Sequence, residues 1–284
     1  MGSEMCIRDS PAIALVAPST DLMNALCQLQ ALQVTLSENT FGPFSFSIAP
    51  GERIAILGPS GAGKTTLLKL ISGELRPYFG SYDFKGVAIQ TWSLRALSRA
   101  RAVLPQSSEV AFGLMVHLVI GLGRIAIMGD VKRDAIVRYA ARLSSCEHLL
   151  NRSFNTLSGG EKARIHLARV FAQLWDERNG LILVDEPLAS LDPGLQIELL
   201  ESMRHYADAR DHAIVAILHD INQAMHHFDR LILVRNGKMV GDHASRMAAI
   251  PDLADLYQIQ LDAIERDGLP PCVFPRASLR LNTL

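Results

Sequence analysis

Apolar and polar positions change their spacing several times along the chain, and each spacing predicts an element. Alternation from Gln30 to Leu36 and again from Phe44 to Ile48 predicts two half-buried strands. The solid apolar run Ile54 to Leu57 predicts a strand buried on both faces, and a helix is expected from Lys64 to Ser72. Gly80 to Ile89 predicts a short hairpin, and Val103-Leu104 a strand end before Pro105-Gln106. From Val110 to Leu150 the pattern is mostly helical. Leu181 to Val184 and Ala213 to Leu218 read as buried parallel strands, with a helix between them near Gly194 to Tyr206. Arg230 to Arg235, Asn236-Gly237 and Lys238 to Gly241 spell a hairpin, whereas the Pro-rich chain beyond Pro270 is expected to be irregular.

Strands alternating with helices predict an α/β fold, and 284 residues allow one large domain with an inserted subdomain. Residues 1–22 are read as an N-terminal extension outside the fold, non-native or disordered; Ala12 to Ala17, bracketed by Pro11 and Pro18, is a poor signal peptide. The remaining 23–284 form the expected domain, with a C-terminal tail from about 268 to 284. Lys and Arg number 28 against 29 Asp and Glu, so a net charge of −1 supplies no field for nucleic acid or anionic lipid. Cys6, Cys27, Cys146 and Cys272 are scattered without C-x-x-C spacing, which excludes a zinc site of that kind and favours a reducing cytosol. No apolar run is long enough to span a bilayer, so any membrane role is expected to come through a partner.

Candidate chemistry lies at three segments. The first is the P-loop Gly58-Pro59-Ser60-Gly61-Ala62-Gly63-Lys64-Thr65-Thr66, placed between a strand and a helix. Backbone amides there can cradle phosphates, the lysine can neutralise β/γ oxygens, and Thr65 can reach Mg²⁺. The second is Leu157-Ser158-Gly159-Gly160-Glu161. Free amides and the positive end of a helix dipole make that segment a second anion grip. The same Ser and Glu, three residues apart, also spell an ordinary capping box. The third is the acidic pair Asp185-Glu186 at the end of a buried strand. His219, just after the strand Ala213 to Leu218, joins them. His205, His212, His226, His227 and His243 are read as solvated helix or loop residues.

In combination these segments resemble the ATP-binding cassette family from about Leu29 to Gly241, with Gln106, Ser190-Leu191-Asp192 and His219 at the matching places. The resemblance implies a P-loop NTPase with a RecA-like core, an antiparallel β-subdomain and an inserted helical subdomain over about 107–173. It implies ATP and Mg²⁺ as ligands, with Thr65, Asp185 and Gln106 at the metal, Glu186 as the base that polarises the attacking water, and His219 on the γ-phosphate. Ser158, Gly159, Gly160 and Glu161 would act across a dimer on the partner's ATP, and Asp192 would lie in the dimer-contact loop. The family places an adenine-stacking aromatic on the first strand, but Leu32 to Glu38 contains none; either Phe41 replaces it or the stacking is lost.

A finer resemblance, carried by Arg101 to Gln106, Leu122-Gly123-Arg124 and His166 to Trp175, is to bacterial haemin-import ATP-binding subunits. It implies a second copy of the chain, two transmembrane permease subunits and, indirectly, a periplasmic binding protein, at the cytoplasmic face of the inner membrane. Siderophore or cobalamin uptake is the alternative. A soluble cassette ATPase is disfavoured because the chain has one cassette and no long coiled-coil insertion. A non-hydrolytic module is disfavoured because Lys64, Glu186 and His219 are all present.

Overall fold

Buried strands need apolar side chains on both faces, and here alternate residues of each run serve different cores. The chain, described by a computed structural model over residues 25–105, 113–185, 191–266 and 269–276, begins with β1 (Cys27–Leu36), β2 (Asn39–Ile48) and β3 (Arg53–Leu57). Next come α1 (Lys64–Ile71), β4 (Phe79–Phe84), β5 (Val87–Ala88), α2 (Leu94–Ala100) and β6 (Arg101–Leu104). Three helices follow, α3 (Val116–Gly121), α4 (Arg133–Leu143) and α5 (Gly159–Gln173). After them β7 (Leu181–Asp185), α6 (Pro193–Asp208), β8 (Ala213–Ile217), α7 (Ile221–His227), β9 (Arg230–Arg235) and β10 (Lys238–Ala244) return to the main sheet. The last described elements are α8 (Ile250–Tyr257), β11 (Gln260–Arg266) and β12 (Leu269–Arg276).

The main sheet has the order β10-β9-β3-β8-β7-β6; all neighbours run parallel except the β9–β10 hairpin. Ile54 and Ile56 of β3 face one core with Leu183, Val215 and Ile232, while Ala55 and Leu57 face the other with Val184, Ala216 and Leu233. The first core is closed by α1 and by the antiparallel sheet β2-β1-β4-β5, through Leu29, Phe44, Tyr82 and Phe84. The second is closed by α5, α6 and α8 through Phe171, Leu199 and Leu253. Each fully buried Leu or Phe stabilises this layering by roughly 1.5–3 kcal/mol relative to exposure.

Two expectations need correction. Beyond Pro270, the described residues up to Arg276 are not irregular: β12 pairs antiparallel with β11, Ala263 opposite Val273 and Leu261 opposite Pro275. Prolines are tolerated because this is a two-stranded ribbon with outer edges, where missing N–H groups break no interior ladder. Asn222 of α7 anchors the ribbon, accepting from the Val273 amide at 2.7 Å and donating to its carbonyl at 2.9 Å. His212 is not solvated either. It is fully buried at the start of β8, and its Nδ1 accepts the Gly180 amide at 2.9 Å. Burial pushes the imidazole pKa down to about 4.

Candidate functional site

The P-loop begins where β3 ends. Gly63, at φ 98°, is the left-handed residue from which α1 starts; a Cβ there would meet Phe41 Cδ1 at 2.8 Å. Glycine is therefore required both by the backbone angle and by the ring beside it. Leu67, Leu68, Leu70 and Ile71 bury α1 against the core, so the helix N-terminus is held with its free amides at the loop. Two neighbours brace the loop. The Gly237 amide, in the β9–β10 turn, donates to the Ala62 carbonyl at 2.9 Å, and the Gly58 amide donates to the Tyr257 hydroxyl at 3.2 Å.

Lys64 is buried, and its Nζ donates to the carbonyls of Gly58 at 2.9 Å and Pro59 at 3.1 Å. A lysine with its ammonium fixed beside the loop is poised to exchange carbonyl oxygens for phosphate oxygens. Thr65 Oγ1 donates to Asp185 Oδ1 at 3.3 Å, which joins the P-loop helix to the end of β7 across 120 residues. A hydroxyl and a carboxylate meeting in this way form a hard-oxygen pair that fits Mg²⁺. That ion keeps several waters and takes its remaining ligands from substrate phosphates, so a site with few protein ligands suffices.

Strand β8 lies between β3 and β7, with Ile56 opposite Ile217 on one side and Asp185 opposite Ile217 on the other. His219, exposed two residues beyond β8, therefore emerges between the P-loop strand and the Asp185 strand, at the carboxyl edge of the sheet. Asp220 caps α7 by accepting the amides of Asn222 at 2.7 Å and Gln223 at 3.1 Å, which fixes the turn that carries His219. Carboxyl edges of open α/β sheets are where such folds bind ligands. Gln106, Glu186 and Ser190 lie outside the described residues. The strand leading to Gln106 is itself fixed by α5: Arg169 Nη2 donates to Val103 O at 2.9 Å, and Gln173 Nε2 to Arg101 O at 2.9 Å.

Ser158 is the N-cap of α5, and the capping box is present: Oγ accepts the Glu161 amide at 3.3 Å while Glu161 Oε2 accepts the Ser158 amide at 2.8 Å. The Ser158 hydroxyl also donates to the same carboxylate at 2.9 Å. Those bonds hold the Glu161 carboxyl below its ordinary range. Ser158 and Gly159 are exposed, whereas Gly160 packs so closely on α6 that a Cβ would lie 2.5 Å from Leu195 Cδ2. The segment thus combines a stable helix start with an open face. Asp192 is exposed and caps α6, accepting the Leu195 amide at 3.0 Å, with Pro193 in the first helical turn.

Residues 41–189 match the family model described as ABC transporter, a span running from Phe41 through the P-loop and the capped α5 to Asp185 and the residues after it. The chain belongs to the ABC transporter family. The hemin import ATP-binding protein HmuV of Methylobacillus flagellatus is 41% identical over 72% of this chain and 77% of its own length. That of Pseudomonas fluorescens is 43% identical over 69% and 77%, and that of Rhodopseudomonas palustris 38% over 81% and 86%. Among solved structures, a metal-chelate type ABC transporter in an inward-facing conformation aligns with TM-score 0.76 at 22% identity, covering 90% of this chain and 99% of that one. A nucleotide-free ATP-binding cassette aligns with TM-score 0.71 at 18% identity, over 82% and 95%. These structures share the fold of this ABC cassette, the α/β P-loop NTPase arrangement. As an ABC ATPase, the chain binds nucleotide and couples ATP hydrolysis to transport.

The bracing of this ABC site from outside the motifs was not legible in the sequence. Phe41 lies against Gly63, and Tyr257 reaches Gly58 from 199 residues away. An aromatic near the P-loop in sequence was the single signal available for the first; for the second there was none.

Proposed function

We propose that this chain is the ATP-hydrolysing subunit of a bacterial importer of haem, closing as a homodimer around two ATP molecules. For the cargo, the supporting observation is the 38–43% identity to hemin import ATP-binding proteins over two thirds or more of the chain. For the chemistry, it is the bond from Thr65 to Asp185 at the P-loop. Amides from Ser60 to Thr65 hold the phosphate chain, and Lys64 moves from its carbonyl contacts to the β/γ oxygens. Thr65, Asp185 and Gln106 would hold Mg²⁺, which would neutralise charge on those oxygens. Glu186, directly after Asp185, takes the proton from the attacking water, and His219 donates to the γ-phosphate. Ser158, Gly159 and Gly160 of α5 complete the γ-phosphate contacts on the partner's ATP, with Asp192 at the dimer contact. Phe41, already beside Gly63, flanks the nucleotide in place of the absent first-strand aromatic.

No helix among the described residues is long and apolar enough to cross a membrane. Attachment to the cytoplasmic face of the inner membrane therefore runs through two permease subunits, which dock on the helical subdomain, residues 107–173, beside Gln106. A periplasmic binding protein delivers the cargo without touching this chain. The test is transport in liposomes containing the chain, its permease and its binding protein. ATP-dependent accumulation of haem is expected. Accumulation of a siderophore or cobalamin alone, with haem inert, would overturn the cargo assignment and leave the ATPase standing.

A further inference from the structure

Gly58 is the residue at which β3 stops being sheet and the P-loop begins. Its backbone is pressed against β9, since a Cβ there would lie 2.1 Å from the Val234 carbonyl oxygen. Its amide is buried and follows Leu57, the last β3 residue paired with β9. The acceptor for that amide is the Tyr257 hydroxyl at 3.2 Å. The carbonyl of the same residue accepts Lys64 Nζ at 2.9 Å. Both backbone polar groups of Gly58 are thus held, one by the phosphate-binding lysine and the other by a tyrosine from the far end of the chain.

Tyr257 is delivered by a firmly seated helix. Leu253 and Leu256 bury α8 in the core, and Arg235 of β9 pairs with Asp255 at 3.0 Å. Gln258, left-handed at φ 54°, then ends the helix, directly after the tyrosine. The family match covers Gly58 but stops at residue 189, so α8 and Tyr257 lie outside the segment it covers.

We propose that Tyr257 is a positioning residue for the P-loop, holding the Gly58 backbone so that the loop amides meet the phosphate chain without prior backbone rearrangement and Lys64 has only its side chain to move. A buried N–H deprived of its acceptor is costly, so loss of the hydroxyl turns the Gly58 peptide toward other partners. The carbonyl that Lys64 uses belongs to the next peptide, Gly58–Pro59, and shifts through the Cα that the two peptides share. The loop then spends part of its time in arrangements that do not accept phosphates, and apparent affinity falls by the competent fraction. Chemistry after binding is unchanged, because bound nucleotide restores the competent arrangement. The proposal rests on nucleotide occupying this P-loop.

The test compares Tyr257→Phe with Tyr206→Phe in the full-length chain. Tyr206 makes a buried phenol bond to Phe171 O at 2.7 Å within the helical core, and so controls for the loss of any such bond. Affinity for a fluorescent ADP analogue, KM for MgATP, kcat and the melting temperature are measured for each. For Tyr257→Phe we expect Kd and KM to rise about 5- to 50-fold with kcat within about twofold of the parent. For Tyr206→Phe we expect a lower melting temperature with unchanged Kd. Unchanged Kd in Tyr257→Phe would overturn the proposal, as would equal affinity losses in both variants or a fall in kcat matching the rise in KM. If neither variant nor parent binds nucleotide at all, the P-loop reading fails instead, a separate result.

Discussion

Ser158 caps α5, and one substitution pair can separate that cap from the contact proposed for it across the dimer. As N-cap of α5 it accepts the Glu161 amide at 3.3 Å and donates to the Glu161 carboxylate at 2.9 Å. Ser158→Ala removes both while leaving the Glu161 bond to the residue 158 amide, so the loss is that of a partly retained cap, about 1 kcal/mol. For a chain of this size that is a fall of about 2–4 °C in melting temperature. If the hydroxyl also donates to the γ-phosphate of the partner's ATP, its removal forfeits a hydrogen bond to a charged group. Such a bond is worth about 1.5–3 kcal/mol, or about 10- to 150-fold in kcat/KM. Ser158→Asn splits the effects, because asparagine caps helices about as well as serine yet places a larger amide where the phosphate must approach. Steady-state phosphate release and thermal melting should therefore diverge: alanine lowers both quantities, and asparagine lowers hydrolysis alone. Asparagine at parental turnover would refute the trans contact and leave Ser158 as a cap.

Two further outcomes are expected. Glu186→Gln keeps shape but cannot take a proton, so ATP should hold a dimer that persists on size-exclusion chromatography without phosphate release; parental turnover would remove Glu186 as the base. His212 titrates at about 4 in the folded chain, against its ordinary 6.5. The unfolded chain then binds the extra proton between those values, so this residue's contribution, about 3 kcal/mol, is complete above pH 6.5 and lost as pH falls through 4. Urea unfolding at pH 7 and pH 4.5 should show a smaller acid loss for His212→Gln than for the parent; equal losses would mean the burial does not govern its titration.

The strands of the main sheet in chain order, the P-loop and the capped start of α5 were all legible in the sequence, because each depends on neighbours within a few residues. Apolar runs such as Leu181 to Val184 must be buried on both faces, and Ser158 with Glu161 can close a capping box without any distant help. Even Asp185 could be placed at a strand end. What the residues alone left open was whether those ends converge. Sheet order decided that, setting β8 between β3 and β7 so that Thr65 meets Asp185 and His219 emerges between them.

Other features required the tertiary structure altogether. The prolines of Leu269 to Arg276 argue against a strand unless it is known to be an edge, and edges are a property of the sheet. His212 carries no local sign of burial; packing of β8 beside Gly180 removed it from water and set its pKa. Tyr257 ends α8 with no local sign of its partner, and only the fold turns its hydroxyl onto Gly58. Local periodicity and motif spacing determine which chemistry the chain can hold, since dihedral preference and hydrophobic face are set residue by residue. Which atoms brace the loop that performs it depends on contacts between segments up to 199 residues apart, and those exist only once the two cores have packed.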